Sequence, residues 1–304
     1  MNEVRQVFDK FDGVENEGFP FIDSQVYFTR RGTPYLKAPG VVMVAKPDVN
    51  LNGTGRFLEG FGRELNFSQY LDDPGKLLPA EALVKFAGQL CYASFGEGRT
   101  LNANAQQYFD NIIASGHGSV LEHPNFTFLW YGVSRTLTHE LVRHRAGMGY
   151  SQLSQRYVSG KVLRFVERPE YQNVPELHKE FERRIDLATV WYKKVAQALL
   201  VLQGTGEKLL GADAKTDLRK KVQQAARSVL PGETETHVVL TGNVRALRHI
   251  SSMRASKHAE VEIREAAFRT WLCLAIAAPM LVKDYKMEQL SDGTWGVQTE
   301  HPKV

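Results

Sequence analysis

The run 139–157, His-Glu-Leu-Val-Arg-His-Arg-Ala-Gly-Met-Gly-Tyr-Ser-Gln-Leu-Ser-Gln-Arg-Tyr, constrains the fold of this chain more than any other stretch. It opens with helical spacing and closes as a loop crowded with hydrogen-bonding side chains. Arg143, Arg145 and Arg156 bring fixed positive charge, and Ser151, Gln152, Ser154, Gln155 and Tyr157 bring directional polar groups. A fold that gathers such groups in so short a span is expected to bind something. Guanidinium forks suit phosphates and the paired acceptors of planar heterocycles. The first reading is therefore a nucleotide or flavin phosphate site.

Composition narrows the class. A chain of 304 residues has room for one large domain or two ordinary ones. Hydrophobic content of 43% and charged content of 24% are ordinary for a soluble globular protein. A formal charge of +4 is too small to suggest general nucleic-acid binding, so no nucleic-acid partner is expected. Anionic small molecules stay open, because locally concentrated charge matters more than the sum. The two cysteines, Cys91 and Cys273, sit in apolar sequence settings, which argues against a disulfide framework or a cysteine-rich metal site. The N-terminal residues have no apolar signal core. The longest apolar run, 270–282, is too short to span a bilayer. The expectation is a soluble cytoplasmic protein with no membrane partner.

Along the chain, residues 1–39 show no sustained period and read as an N-terminal extension packing on the body or on a neighbouring subunit. Residues 40–45 form a β-branched run, predicted as a buried strand. Residues 46–78 are glycine-rich and read as an insertion. Gly53-Thr54-Gly55 lacks the third glycine and the strand-turn-helix context of a phosphate loop. Helical spacing appears over 79–92, 104–114, 134–145, 176–203, 212–229, 243–253 and 256–283. Strands are predicted at 125–133, 162–166 and 235–240; in the first, Phe126, Phe128 and Trp130 alternate with Thr127, Leu129 and Tyr131, as in a strand with both faces largely covered. The fold class is α+β: one helix-rich domain over 40–295 with a small, mainly antiparallel sheet, and a tail at 296–304.

His139-Glu140 invites a zinc-protease reading, which fails on geometry. That signature needs a second histidine four residues on, about 40° around the helix, whereas His144 lies five residues on and roughly 140° round. No metal is expected. Glu140 and Arg143, three apart, are expected on one side, where a carboxylate and a guanidinium grip a heterocycle; the plainer alternative is a surface ion pair. A second patch, Gly116-His117-Gly118-Ser119-Val120-Leu121-Glu122-His123, brings glycines and Ser119 to a turn suited to a phosphate or simply capped by Ser119. A third runs from Asn243 through Arg245, His249 and Arg254 to His258. Leu247, Ile250 and Met253 form its core-facing stripe, and Ser256 is expected to cap the following helix. Arg227 emerges from a small-residue helix face. Neither cysteine has the electropositive setting of a thiolate, and Ser154 lacks a nucleophile elbow. An enzyme built this way would leave the hard chemistry to a cofactor.

Taken in order, the three patches resemble the flavin-dependent thymidylate synthase family, whose hallmark is Arg-His-Arg, seven or eight residues, then Ser. Here Arg143-His144-Arg145 is followed by eight residues and Ser154, the extra residue falling within Ala146-Gly147-Met148-Gly149. The similarity runs from about residue 40 to 290. It implies a homotetramer with active sites between subunits, converting dUMP to dTMP with FAD as cofactor and methylenetetrahydrofolate and NADPH as co-substrates. Ser119, Arg143, His144, Arg145, Gln152, Asn243, Arg245 and His249 would contact FAD. Glu140, Arg143, Gln152, Ser154, Gln155, Arg156, Arg227 and Arg254 would hold dUMP, with Arg254 as the catalytic group. Two other readings compete: a related C5-methylase or hydroxymethylase of another pyrimidine nucleotide such as UMP, and a basic nucleic-acid-binding protein without catalysis.

Overall fold

The computed structural model describes residues 2–54, 56–57, 70–71, 73, 75–96, 98–157, 163–204 and 215–304. A six-stranded antiparallel sheet is the frame: β1 (Val14–Asn16), β2 (Phe19–Ile22), β5 (Gly40–Ala45), β6 (Asn125–Ser134), β9 (Glu235–Asn243) and β7 (Met148–Gln152), in that order across the sheet. A smaller sheet holds β3 (Val26–Phe28), β4 (Pro34–Leu36) and β8 (Phe165–Val166), the last two parallel. A hairpin of β10 (Lys286–Gln289) and β11 (Trp295–Gln298) lies near the end of the chain. The α-helices among the described residues are α1 (Asn2–Lys10), α2 (Pro79–Cys91), α3 (Ala105–Ala114), α4 (Arg135–Leu141), α5 (Pro169–Gln172), α6 (Pro175–Gly204), α7 (Lys215–Ala226), α8 (Val244–Arg254) and α9 (Val261–Ala277). The fold is α+β, as expected.

Alternation along β6 decides which side of the sheet is filled. Phe126, Phe128 and Trp130 are fully buried, while Thr127, Leu129 and Tyr131 on the other face are only half-buried. The second face is thus less covered than the residue types predict. Helix α9 lies in the same core, buried around nearly its whole circumference, with Phe268, Trp271 and Leu272 among its buried side chains. Trp130 donates its indole N–H to Thr270 Oγ1 at 2.8 Å, which satisfies the polar edge of a large buried ring. A second cluster joins α6 to the small sheet through Tyr35, Phe165, Phe181 and Ile185.

Four expectations change. Residues 1–39, read as an extension without a sustained period, supply α1 and four strands. Val7 and Phe8 of α1 enter the main core, and β2 pairs directly with β5. The helix over 134–145 stops at Leu141, and 148–152, read as loop, is an edge strand paired with β9. The last long helix begins at Val261, with Glu260 rather than Ser256 capping it; the Glu260 side chain accepts from Ile263 N. The 296–304 tail is not separate, because β11 crosses its expected start and Val304 is buried. In addition, Met253 leaves the predicted core stripe for solvent, and Cys91 is exposed. Residues 158–162 and 212–214, and within 46–78 residues 55, 58–69, 72 and 74, lie outside the described residues.

Candidate functional site

Helix α4 starts from a doubly held cap. Ser134 Oγ accepts from Leu137 N at 3.1 Å, satisfying one of the free donors of the first turn. The buried Glu262 carboxylate in turn accepts from Ser134 N at 2.6 Å and from Ser134 Oγ at 2.7 Å. Burial pushes the Glu262 carboxyl up to about 7. At the other end, Tyr150 of β7 donates its hydroxyl toward the carbonyls of Leu141 (3.2 Å) and His144 (2.8 Å). The strand that replaces the expected loop therefore fixes how the chain leaves the helix.

That exit directs His144 at the last residue of α8. Arg254 Nε donates to His144 Nε2 at 2.9 Å, and its Nη1 donates to Glu140 Oε2 at 2.5 Å. The His144 and His249 rings meet edge-on, 5.6 Å apart. Burial, with the neighbouring charges of Arg254, His249 and Arg143, holds His144 down at about 4. Its imidazole is neutral near pH 7. Because Nε2 accepts from the guanidinium, the ring proton is on Nδ1. The expected Glu140–Arg143 pairing is not formed. With the helix ended at Leu141, Arg143 lies past the last turn, exposed like Arg145, and Glu140 pairs with Arg254.

Beside this cluster is a cavity of about 480 Å³ lined by Glu122, Ala146, Gly147, Asn243, Arg245, Ala246, His249 and Lys303. Asn243 caps α8, its Oδ1 accepting from Ala246 N at 2.9 Å. Gly147 has φ +70, a conformation that favours glycine, and its carbonyl accepts from Asn243 N at 3.1 Å. Arg245 Nη1 pairs with Glu122 Oε1 at 2.6 Å across the rim. Ser119 is exposed on the 3-10 turn Gly118–Glu122 and faces a different cleft of about 260 Å³, with His117, Gln89 and Tyr108. The turn itself packs on the Asn243–His249 group, since a Cβ on Gly118 would lie 2.9 Å from Arg245 Nε, but Ser119 lines the other cleft.

The remaining candidates follow β7. Gln152 donates to Thr138 Oγ1 (3.1 Å) on α4 and to Thr236 Oγ1 (3.2 Å) on β9, which seats it between the two elements. Ser154 Oγ accepts from Arg156 N at 3.3 Å, as a turn-forming ligand rather than an activated nucleophile. Gln155 Nε2 is buried without a hydrogen-bond partner among the described residues, and Arg156 lies 5.7 Å from the Tyr157 ring. Arg227 sits in the turn Arg227–Val229 after α7. There the structure adds a residue the sequence reading passed over. Burial, together with the charge of Arg227, lowers Arg135 from its ordinary range. Two guanidiniums close enough to repel are what an anion would relieve. A signal was available: a cation in the first turn of a helix opposes its dipole.

Among the described residues no group of carboxylates, histidines and cysteines is arranged to hold a metal ion, and no helix is long and apolar enough to cross a membrane. The sequence profile described as "Thymidylate synthase complementing protein" matches residues 76–280. A flavin-dependent thymidylate synthase of Mycolicibacterium gilvum is 43% identical over 213 residues, covering 70% of this chain and 82% of the relative. One from Corynebacterium glutamicum is 41% identical over 216 residues, covering 71% and 83%. In fold, the chain is similar to a crystal structure of a UMP/dUMP methylase, PolB, from Streptomyces cacaoi bound with 5-Br dUMP. That likeness has a TM-score of 0.54 at 19% identity, covering 81% of this chain and 94% of the other. The chain belongs to the thymidylate synthase complementing protein family.

Proposed function

We propose that this chain is an FAD-dependent thymidylate synthase, a methyltransferase that converts dUMP to dTMP with methylenetetrahydrofolate as carbon donor and NADPH as reductant. The observation that carries the reading is the Glu140–Arg254–His144 cluster. It offers a carboxylate, a guanidinium and a neutral imidazole of defined tautomer at one place. A pyrimidine edge presents acceptor, donor and acceptor in a row, which such a set can match. Arg254 facing the N3–O4 edge would stabilise negative charge there and make C5 nucleophilic. Glu140 and His144 hold the guanidinium in place, so little reorganisation is needed when that charge develops. Ser154, Gln155, Arg156 and Arg227, joined by Arg135, would take the phosphate, with Arg143 and Gln152 between phosphate and base.

The residues around the larger cavity fit FAD. Asn243, Arg245 and His249 offer amide, guanidinium and imidazole groups to one opening, and Ala146 and Gly147, which directly follow Arg143-His144-Arg145, line the same opening. Bound there, FAD would supply the redox step between NADPH and the pyrimidine. Cys273 is buried with its thiol raised by burial, and Cys91 Sγ donates to Ala87 O. No cysteine nucleophile is invoked, and Ser154 acts as a ligand. The exposure of Ser119, Arg143 and Arg145, three candidate flavin contacts, supports sites completed between subunits of a homotetramer. Cytoplasmic location accords with this chemistry.

The test is an anaerobic assay with FAD-loaded protein, NADPH, methylenetetrahydrofolate and either dUMP or UMP. Formation of dTMP from dUMP is expected, with no methylated product from UMP. Turnover of UMP alone would move the assignment to the related pyrimidine-nucleotide methylase, and no product from either would defeat the reading.

A further inference from the structure

Lys303 lies outside the 76–280 family match, yet it lines the 480 Å³ cavity with Asn243, Arg245 and His249. A fully buried guanidinium puts it there. Arg248, on α8 between Arg245 and His249, donates from Nε to Val304 O at 2.8 Å and from Nη1 to Leu281 O at 2.8 Å. Its two terminal nitrogens pair with Asp284 at 2.6 and 2.8 Å, and Thr299 Oγ1 donates to the same carboxylate at 2.5 Å. Val304 is buried on one side of Lys303, and the carbonyl of His301 lies 3.5 Å from Arg248 Nη2 on the other. The backbone flanking Lys303 is pinned to the helix that carries the cavity's own polar residues.

Charge around the cavity gives Lys303 a use. Arg245 and Glu122 pair at 2.6 Å and cancel as formal charges. The Lys303 ammonium has no ion-pair or hydrogen-bond partner among the described residues, and it supplies the excess positive charge of the lining. We infer that Lys303 is a further cofactor-binding residue, its ammonium pairing with the pyrophosphate of FAD; this rests on the flavin reading of the cavity. Arg245, tied to Glu122, then orients, while Lys303 provides the net attraction. An ammonium on a flexible stem suits a phosphate group as a point charge.

The experiment is titration of the full chain with FAD and, separately, with riboflavin, which has the same ring system but no phosphate. Lys303→Met is expected to weaken FAD about fivefold, the scale of one partly exposed ion pair. It should leave riboflavin affinity and the melting temperature unchanged and flatten the salt dependence of FAD binding. Lys303→Arg should retain most FAD affinity. Equal FAD affinity in wild type and Lys303→Met overturns the inference, as does an equal loss for FAD and riboflavin. Failure of the wild-type protein to bind either flavin is a separate result: it removes the flavin reading, and this inference with it.

Discussion

The two ends of α4 follow opposite electrostatic plans. At its C-terminal end, Glu140 and His144 already occupy Arg254, whose side chain is 19% exposed. At its N-terminal end, Arg135 is lowered by burial and by the charge of Arg227, with no carboxylate among the described residues raising it. The first end is ordered before any ligand arrives and can be selective, since a partner must match an existing pattern of donors and acceptors. The second holds two cations that repel each other, an arrangement that an anion would relieve. On the proposed reading, one short helix would separate the work of choosing a base from the work of attracting a phosphate.

Arg254→Ala should produce the largest effect. It leaves the Glu140 carboxylate without its partner and, on the proposed reading, removes the group that would face the developing charge. Synthesis of dTMP should fall about 10²–10³-fold, the scale of losing a charge-stabilising donor, while flavin absorbance is mostly retained. Undiminished turnover would end the idea of a pre-ordered catalytic end. Next come Arg135→Ala and Arg227→Ala, each expected to weaken dUMP about tenfold to a hundredfold, as for lost charge-assisted hydrogen bonds. Neither should lower the melting temperature, because each removes a repulsion from the free protein. A drop in stability without a change in dUMP affinity would mean that the two cations serve the fold instead.

Glu262 supplies a test under the cap of α4. Its folded-state carboxyl lies at about 7, above the ordinary 4.5, so the folded state binds the extra proton between those values. Stability from this group is fully present below about pH 4.5, falls as pH rises to about 7, and is constant above that. Glu262→Gln should flatten the melting temperature across this window, and a slope equal to wild type would assign the pH dependence elsewhere. The smallest effect is expected from Tyr150→Phe, which loses the hydroxyl over the carbonyls of Leu141 and His144. About 1 kcal/mol of stability should be lost in denaturant titration, with dUMP affinity weakened more than riboflavin affinity. The opposite order would detach Tyr150 from the base-choosing end.

Strong periodicity carried the legible part of the fold. The β-branched run Gly40–Ala45 is β5, the Phe126-Phe128-Trp130 alternation is β6, and the long amphipathic pattern is α6. What escaped was set by partners rather than by local pattern. Strands β1 to β4 are three or four residues each, too short to show a period, and Met148–Gln152 is a strand because β9 pairs with it. The motif residues Glu140, His144, His249 and Arg254 could be named from sequence, but their pairing could not. It depends on α4 stopping at Leu141, which Tyr150 arranges from another element. Arg135 left a faint trace as a misplaced cation. Lys303 left none, because its position is set by a buried arginine more than fifty residues away in sequence.

The way residues 2–45 enter the body bears on how the molecule could be trimmed. Phe11 packs on Phe268 at 5.8 Å, Arg269 donates to the carbonyl of Pro39 at 2.7 Å, and β5 covers one side of β6. A fragment cut to 76–280 would uncover the aromatic side of α9 and leave β6 with an unpaired edge, both of them adhesive surfaces. The stretch recognisable across relatives is therefore shorter than the smallest piece expected to stay dissolved, and expression of the chain should begin at its first helix.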